Sequence, residues 1–167
     1  GVTRISGVGM QHVWASCSPG LIRATHDGGR TWRTECALGE VSDISAVNGN
    51  VAWAVGSEER VLKTVNGGST WQQLHSGGSC TNFTSVSAVD ESRAWAILTS
   101  SSGNAFYPDF THRVMQTVDG GTNWSVLMQE FCPRLIGTNR ALGPVEFVNP
   151  TTGYLLVSEE VRTDSAI

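Results

Sequence analysis

Asp27 sits beside His26 and ahead of Gly28 and Gly29, a group whose carboxylate and imidazole suit general acid/base chemistry and whose oxygens suit Ca²⁺. The group is not unique. Thr25, Asp27, Gly28, Gly29 and Trp32 recur at the same spacing as Thr64, Asn66, Gly67, Gly68 and Trp71, and again as Thr117, Asp119, Gly120, Gly121 and Trp124. An active site needs one asymmetric constellation, and Asn66 cannot serve as an acid. A structural reading accounts for every position. Paired glycines supply the positive φ of a tight strand-to-strand turn. The Asp or Asn and the Thr two residues earlier bond to the turn's own amides. Each Trp is then expected to bury its ring between neighbouring units.

A second cluster has different chemistry. Asn104, Phe106, Tyr107, Asp109, Phe110 and His112 fall within nine residues and mix rigid aromatic with polar groups, as a protein interface or a sugar platform would. The plainer alternative is a loop that folds over apolar edges of its own unit. Cys17, Asp109 and His112 are candidates for nucleophilic chemistry, but nothing orders them as nucleophile and base, and no G-x-S-x-G elbow is present. The four histidines, His12, His26, His75 and His112, are scattered, with no Cys/His spacing for zinc. No metal and no cofactor are expected, and the enzymatic question stays open with non-catalytic function favoured.

The elements that position these residues follow from composition and repetition. At 167 residues, 40% apolar and 16% charged, the chain is long enough for one globular domain. A net charge of −4 without a Lys/Arg run argues against nucleic acid and anionic membrane surfaces. No apolar run reaches the ~20 residues of a membrane span.

Two further series accompany the Gly-Gly phrases. Aromatics stand at Trp14, Trp53, Trp95 and Tyr154, each expected to be buried, and valines precede them at Val8, Val47, Val89 and Val148. Trp14 to Trp32 and Trp53 to Trp71 each span 18 positions, but Trp95 to Trp124 spans 29, so the third unit carries an insertion of about eleven residues. Short alternating or apolar runs give four strands per unit, with no sustained helical period. Units of roughly 40 residues and four strands predict an all-β fold, a β-propeller of four-stranded antiparallel blades. The approximate units are 2–37, 41–76, 82–130 and an incomplete 143–167, so about three and a half blades are present. A stacked solenoid of hairpins is the alternative.

The phrase T-x-D-G-G-x-T-W resembles the Asp-box, or BNR repeat, of sialidases, xyloglucanases, sortilin and the photosystem II stability and assembly factor family. The run from Asn50 to Leu74, "NVAWAVGSEERVLKTVNGGSTWQQL", is most similar to the last of these. That resemblance implies a non-catalytic interaction module, an assembly factor that clasps a membrane-protein partner in a periplasm, an organelle lumen or another extracytoplasmic space. A carbohydrate-binding or hydrolytic fragment of an Asp-box glycosidase is the alternative. The arginine cluster and Tyr/Glu pair expected of a sialidase are missing, as Tyr107 and Tyr154 are the only tyrosines.

In a meander A-B-C-D the Gly-Gly turns share one rim with the A–B turns, while B–C loops and links between units share the other. Function is expected where loops vary, on the rim opposite the Gly-Gly turns, at a long B–C loop from Thr99 to His112 and a link from Gln129 to Leu142. The cysteines map to the same rim. Of three possible pairings, Cys80–Cys132 and Cys17–Cys36 are favoured, with ordinary buried thiols as the alternative. His26 is expected to be an exposed turn residue. The fourth unit stops before its Gly-Gly phrase, which predicts either a piece of a larger propeller or an open edge available for self-association.

Overall fold

A computed structural model describes residues 1–37, 39–75, 77, 81–104, 107–132 and 138–161; the side chains of 36–37, 103–104, 107–109, 131–132, 138–142 and 157–161 also lie outside the description. The described elements are fourteen strands. The first sheet contains β1 (Val2–Val8), β2 (His12–Cys17), β3 (Leu21–Thr25) and β4 (Arg33–Ala37). The second contains β5 (Val41–Ala46), β6 (Ala52–Gly56), β7 (Val61–Thr64) and β8 (Gln72–His75). The third contains β9 (Thr81–Ala88), β10 (Ala94–Asn104), β11 (Tyr107–Thr117) and β12 (Ser125–Cys132). A two-stranded sheet of β13 (Thr138–Asn149) and β14 (Thr152–Val161) follows. Every pairing is antiparallel between consecutive strands, so each sheet is a meander and the chain is an all-β propeller of about three and a half blades.

The blades stack through their first strands. β1 packs on β5, β5 on β9 and β9 on β13. A repeated hydrogen bond fixes that stacking: Ser6 Oγ accepts from the Ala46 amide at 2.9 Å, Ser45 Oγ from Ala88 at 3.0 Å, and Ser87 Oγ from Phe147 at 2.8 Å. Two residues earlier the pattern repeats, with Asp43 Oδ2 accepting from Val86 at 2.9 Å and Ser85 Oγ from Val145 at 3.2 Å. These bonds occupy amides of inner strands that no fifth strand pairs. Burial pushes the Asp43 carboxyl upward against the pull of the Val86 and Ile44 amides.

Apolar side chains fill the gaps between blades. Trp14, Ile22 and Ala24 pack on Val41, Ile44 and Leu62, and Trp53, Val55 and Val61 pack on Phe83, Val86 and Leu98. Ile97 and Val114 meet Val145, with Phe147 and Leu155 alongside. The second-strand aromatic of each blade thus points forward, and the Trp after each Gly-Gly turn packs back: Trp71 lies against the first gap and Trp124 against the second.

That directionality corrects two expectations. Trp32, expected to be buried, is 37% exposed, because no described blade precedes the first. Tyr154, aligned with the buried Trp14, Trp53 and Trp95, is 66% exposed, because it points forward from the last described sheet. Within the segment from Thr99 to His112, residues 99–104 and 107–112 are strand rather than loop. β10 and β11 continue in register to the pair Asn104/Tyr107, so the insertion lengthens a hairpin. The link expected from Gln129 to Leu142 is largely strand as well, since β12 runs to Cys132 and β13 starts at Thr138.

The Cys17–Cys36 bridge is likewise absent, and Cys17 is a free thiol. Cys17 pairs with Leu21 on β3, whereas Cys36 pairs with Ile22 from the far side of that strand. Two interstrand spacings of ~4.8 Å exceed the Cα separation a disulfide spans. Cys80 and the side chain of Cys132 lie outside the described residues, and so does the bridge expected between them.

Candidate functional site

The three Gly-Gly turns are closed hydrogen-bond systems. Thr25 Oγ1, fully buried, donates to Asp27 Oδ1 at 2.8 Å and accepts from the Gly29 amide at 2.9 Å. Asp27 Oδ1 also accepts from the Thr31 amide at 2.9 Å, and Oδ2 from the Thr31 hydroxyl at 2.6 Å. Thr64 and Asn66 repeat this arrangement, with Gly68 donating to Thr64 and Thr70 donating to Asn66, each at 2.9 Å. Thr117 and Asp119 do so with Gly121 and Asn123. All six glycines adopt positive φ, from 66° at Gly67 to 93° at Gly121.

These bonds govern the carboxylates. The hydroxyl and amide of Thr31, with the Thr25 hydroxyl, hold Asp27 far below the usual carboxylate range. The backbone and side chain of Asn123 hold Asp119 at about 2. Groups so acidic are poor proton donors or acceptors near neutral pH, where efficient catalysis needs a matched pKa. The turns are also tied to the A–B turns, as Gly28, Gly67 and Gly120 donate to the carbonyls of Gln11, Asn50 and Ser92 at 2.9 to 3.1 Å. One rim of the propeller is therefore stitched together by backbone.

His26 is half-buried on this rim rather than exposed. Its Nδ1 shares a 3.0 Å hydrogen bond with His12 Nδ1, and its Nε2 lies 3.3 Å from Glu35 Oε1. Both rings pack against Trp14. Sequence reasoning missed this group because its members come from three strands or turns and share no spacing. Among the described residues no three His, Cys, Asp or Glu side chains converge as a metal site.

The opposite rim is built differently. The β10–β11 hairpin has eleven residues in each strand, against five and four in β6 and β7, and so is longer than its counterpart in the second blade. Asn104 pairs with Tyr107, Ser102 with Asp109, Ser101 with Phe110 and Thr99 with His112. The structure thus sets Asn104, Tyr107, Asp109, Phe110 and His112 along one hairpin, while Phe106 lies outside the described residues. Phe110 is exposed and stacks near His112, with centroids 6.4 Å apart. His112 is buried and shares a 3.0 Å hydrogen bond with Thr99 Oγ1. Burial pushes its imidazole below the ordinary value, against the opposing charge of Glu130, so the ring is neutral near pH 7.

Beside the hairpin stands a feature that the sequence did not announce. Glu58 and Glu59 form the β6–β7 turn with φ of 59° and 55°, a conformation suited to glycine or asparagine. Their backbones are held from the third blade: Glu58 N donates to Asn82 Oδ1 at 3.1 Å and Glu59 N to the Thr81 carbonyl at 3.2 Å. Burial pushes Glu59 upward, but bonds from Thr81 and His75 and the charges of His75 and Arg113 outweigh it and leave the carboxyl below its ordinary value. An acidic turn is thereby fixed next to the root of the long hairpin.

No helix among the described residues is long and apolar enough to cross a membrane. No protein-family model matches the chain, and no curated protein matches its sequence. Among solved structures the chain is similar to YCF48 bound to D1 peptide, with 25% identity and a TM-score of 0.61 over 84% of this chain and 45% of that one. It is also similar to YCF48 from Cyanidioschyzon merolae, with 14% identity and a TM-score of 0.46 over 94% of this chain and 64% of that one. The chain therefore spans less than half the length of the first of these structures, with which it shares the propeller fold.

Proposed function

We propose that this chain is a non-catalytic propeller module that binds an extended segment of a protein partner on the rim opposite the Gly-Gly turns. The carrying observation is the β10–β11 hairpin, whose strands are longer than those of the second blade and which presents the exposed Phe110 ring. Rigid strands displaying aromatic and polar groups favour recognition of a peptide, since little entropy is lost on ordering them. The likeness to YCF48 bound to D1 peptide supports a protein ligand over a glycan. An assembly role toward a membrane-protein complex, in an extracytoplasmic compartment, is the setting in which such a module acts.

The test replaces residues 102–109 by a two-residue Asn-Gly turn and Phe110 by serine, which removes both the extended strands and the exposed ring while Ser101 stays at the hairpin's new end. Binding of D1 peptide is followed by fluorescence polarisation, with circular dichroism as the check on folding. The expected result is loss of binding of at least about tenfold, or ~1.4 kcal/mol, with the fold retained. Undiminished binding would move the site elsewhere. Retention on a glycan array by the unaltered chain, with no peptide binding, would favour the carbohydrate reading.

A further inference from the structure

We propose that His12 and His26 form a two-imidazole site for a borderline divalent transition ion, Zn²⁺, Ni²⁺ or Cu²⁺, with the buried Glu35 carboxylate orienting it. The site lies on the Gly-Gly rim, away from the β10–β11 hairpin.

The strand ladder places the two rings. β2 and β3 are in register at Val13/Thr25 and Trp14/Ala24, so His12 and His26 face each other one pair beyond the last rung, on the side of Trp14. Their Nδ1 atoms are 3.0 Å apart. The same two positions hold Val51 and Val65 in the second unit and Arg93 and Val118 in the third, so of these three units the first alone sets two ring nitrogens there. Glu35 differs in the same way. It is the extra residue of the bulge between β3 and β4, where the second and third blades have Leu74 and Leu127.

That replacement directs the chemistry. Only 9% of the Glu35 side chain is exposed, a Cβ at Gly68 would collide with its carboxylate, and Oε2 has no hydrogen-bond partner among the described residues. Oε1 lies 3.3 Å from His26 Nε2. A carboxylate only accepts, so His26 carries its proton on Nε2 and turns the Nδ1 lone pair toward His12. One nitrogen bonded to a carboxylate and the other presented to an ion is the arrangement that orients ligating histidines and makes them more basic. His12 is held too, since a Cβ at Gly49 would come within 2.9 Å of its Nε2. In the metal-free protein His12 donates its Nδ1–H to His26; when the ion binds, that proton passes through solvent to His12 Nε2, and both Nδ1 lone pairs meet the metal.

The spacing suits such an ion. Two Zn–N bonds of about 2.0–2.1 Å at a tetrahedral angle set their nitrogens about 3.3 Å apart, so the rings need to separate by only about 0.3 Å. A hollow of about 160 Å³ beside His26, lined also by Ala24, Asp27, Thr31 and Arg33, admits the water that completes the coordination. Asp27 adds no bond, because Thr25 and Thr31 engage both its oxygens. With two protein ligands the ion is exchangeable, unlike the closed four-ligand sites of structural zinc. Its charge acts on the buried Glu35 through the His26 ring and offsets the cost of keeping that carboxylate from water.

The experiment titrates the full chain with zinc chloride and follows the imidazole nitrogens by long-range ¹H–¹⁵N NMR. Nδ1 of His12 and of His26 should shift together and saturate at one ion per chain, while magnesium chloride shifts neither. His12→Val and His26→Val install the residues of the second blade, so circular dichroism should be unchanged, and each should raise the zinc concentration that shifts the remaining ring at least about tenfold. Glu35→Gln keeps both ligands but removes the charge, and should weaken zinc binding about tenfold or more. Rings that stay unshifted up to millimolar zinc overturn the proposal. So does a shift of one ring alone, or one that survives replacement of the other histidine. Should a valine variant unfold, the paired shift in the unaltered protein decides.

Discussion

Trp95 stacks face to face on Phe147 across the gap between the third and fourth sheets, with centroids 3.9 Å apart and planes 9° from parallel. The same Phe147 donates its amide to Ser87, so one residue ties the two sheets by both ring and backbone. Truncating Phe147 to alanine removes the ring contact and leaves the amide bond intact. We expect Phe147→Ala to cost about 2–4 kcal/mol and Trp95→Ala to cost no less, since Trp95 is almost fully buried. The double variant should fall short of additivity by about 1 kcal/mol, measured by urea unfolding. Full additivity would mean that the stack contributes only area.

Acid should act on the third Gly-Gly turn through Asp119. Its folded-state value of about 2 lies below the ordinary 3.8, so ionised Asp119 favours the fold. That contribution is complete above about pH 3.8 and is lost as pH falls toward 2. Asn66 shows that an amide closes the same turn, so Asp119→Asn should fold normally and have a shallower fall in Tm between pH 4.5 and 2. Direct titration of the Asp119 carboxyl by NMR checks the premise, which fails if the group titrates at 3.8 or higher.

Much of the fold was legible because its determinants are local and repeated. Trp14, Trp53 and Trp95 mark second strands, and the Gly-Gly pairs mark the turns that need positive φ. What repetition cannot convey is where the series meets no neighbour. Trp32 and Tyr154 keep the residue types of buried positions, yet their exposure depends on blades on either side. The insertion in the third unit was located, but a run of serines and aromatics reads equally as loop or strand, and pairing with β9 and β12 made it a hairpin. The serines at 6, 45 and 87 were visible at a fixed distance before each Trp. Their role as acceptors between blades follows only from the stacking of inner strands.

Glu58 and Glu59 carry a conformational cost that a single substitution can test. Holding an L-residue with a Cβ in the left-handed region costs about 1–2 kcal/mol, and asparagine tolerates it better. Glu58 returns little for that cost, since its side chain is 62% exposed and among the described residues its carboxylate reaches Arg60 alone, at 3.5 Å, a type of pair worth at most about 1 kcal/mol. Glu59, by contrast, meets His75 at 3.2 Å. Glu58→Asn should therefore raise stability by about 0.5–1 kcal/mol in denaturant unfolding, while Glu59→Asn should gain less or nothing because it forfeits the His75 contact. Equal gains from the two would mean that the Glu59–His75 pair contributes nothing. A loss at Glu58 would mean that its side chain, rather than its backbone, is what the turn is built to hold beside the hairpin.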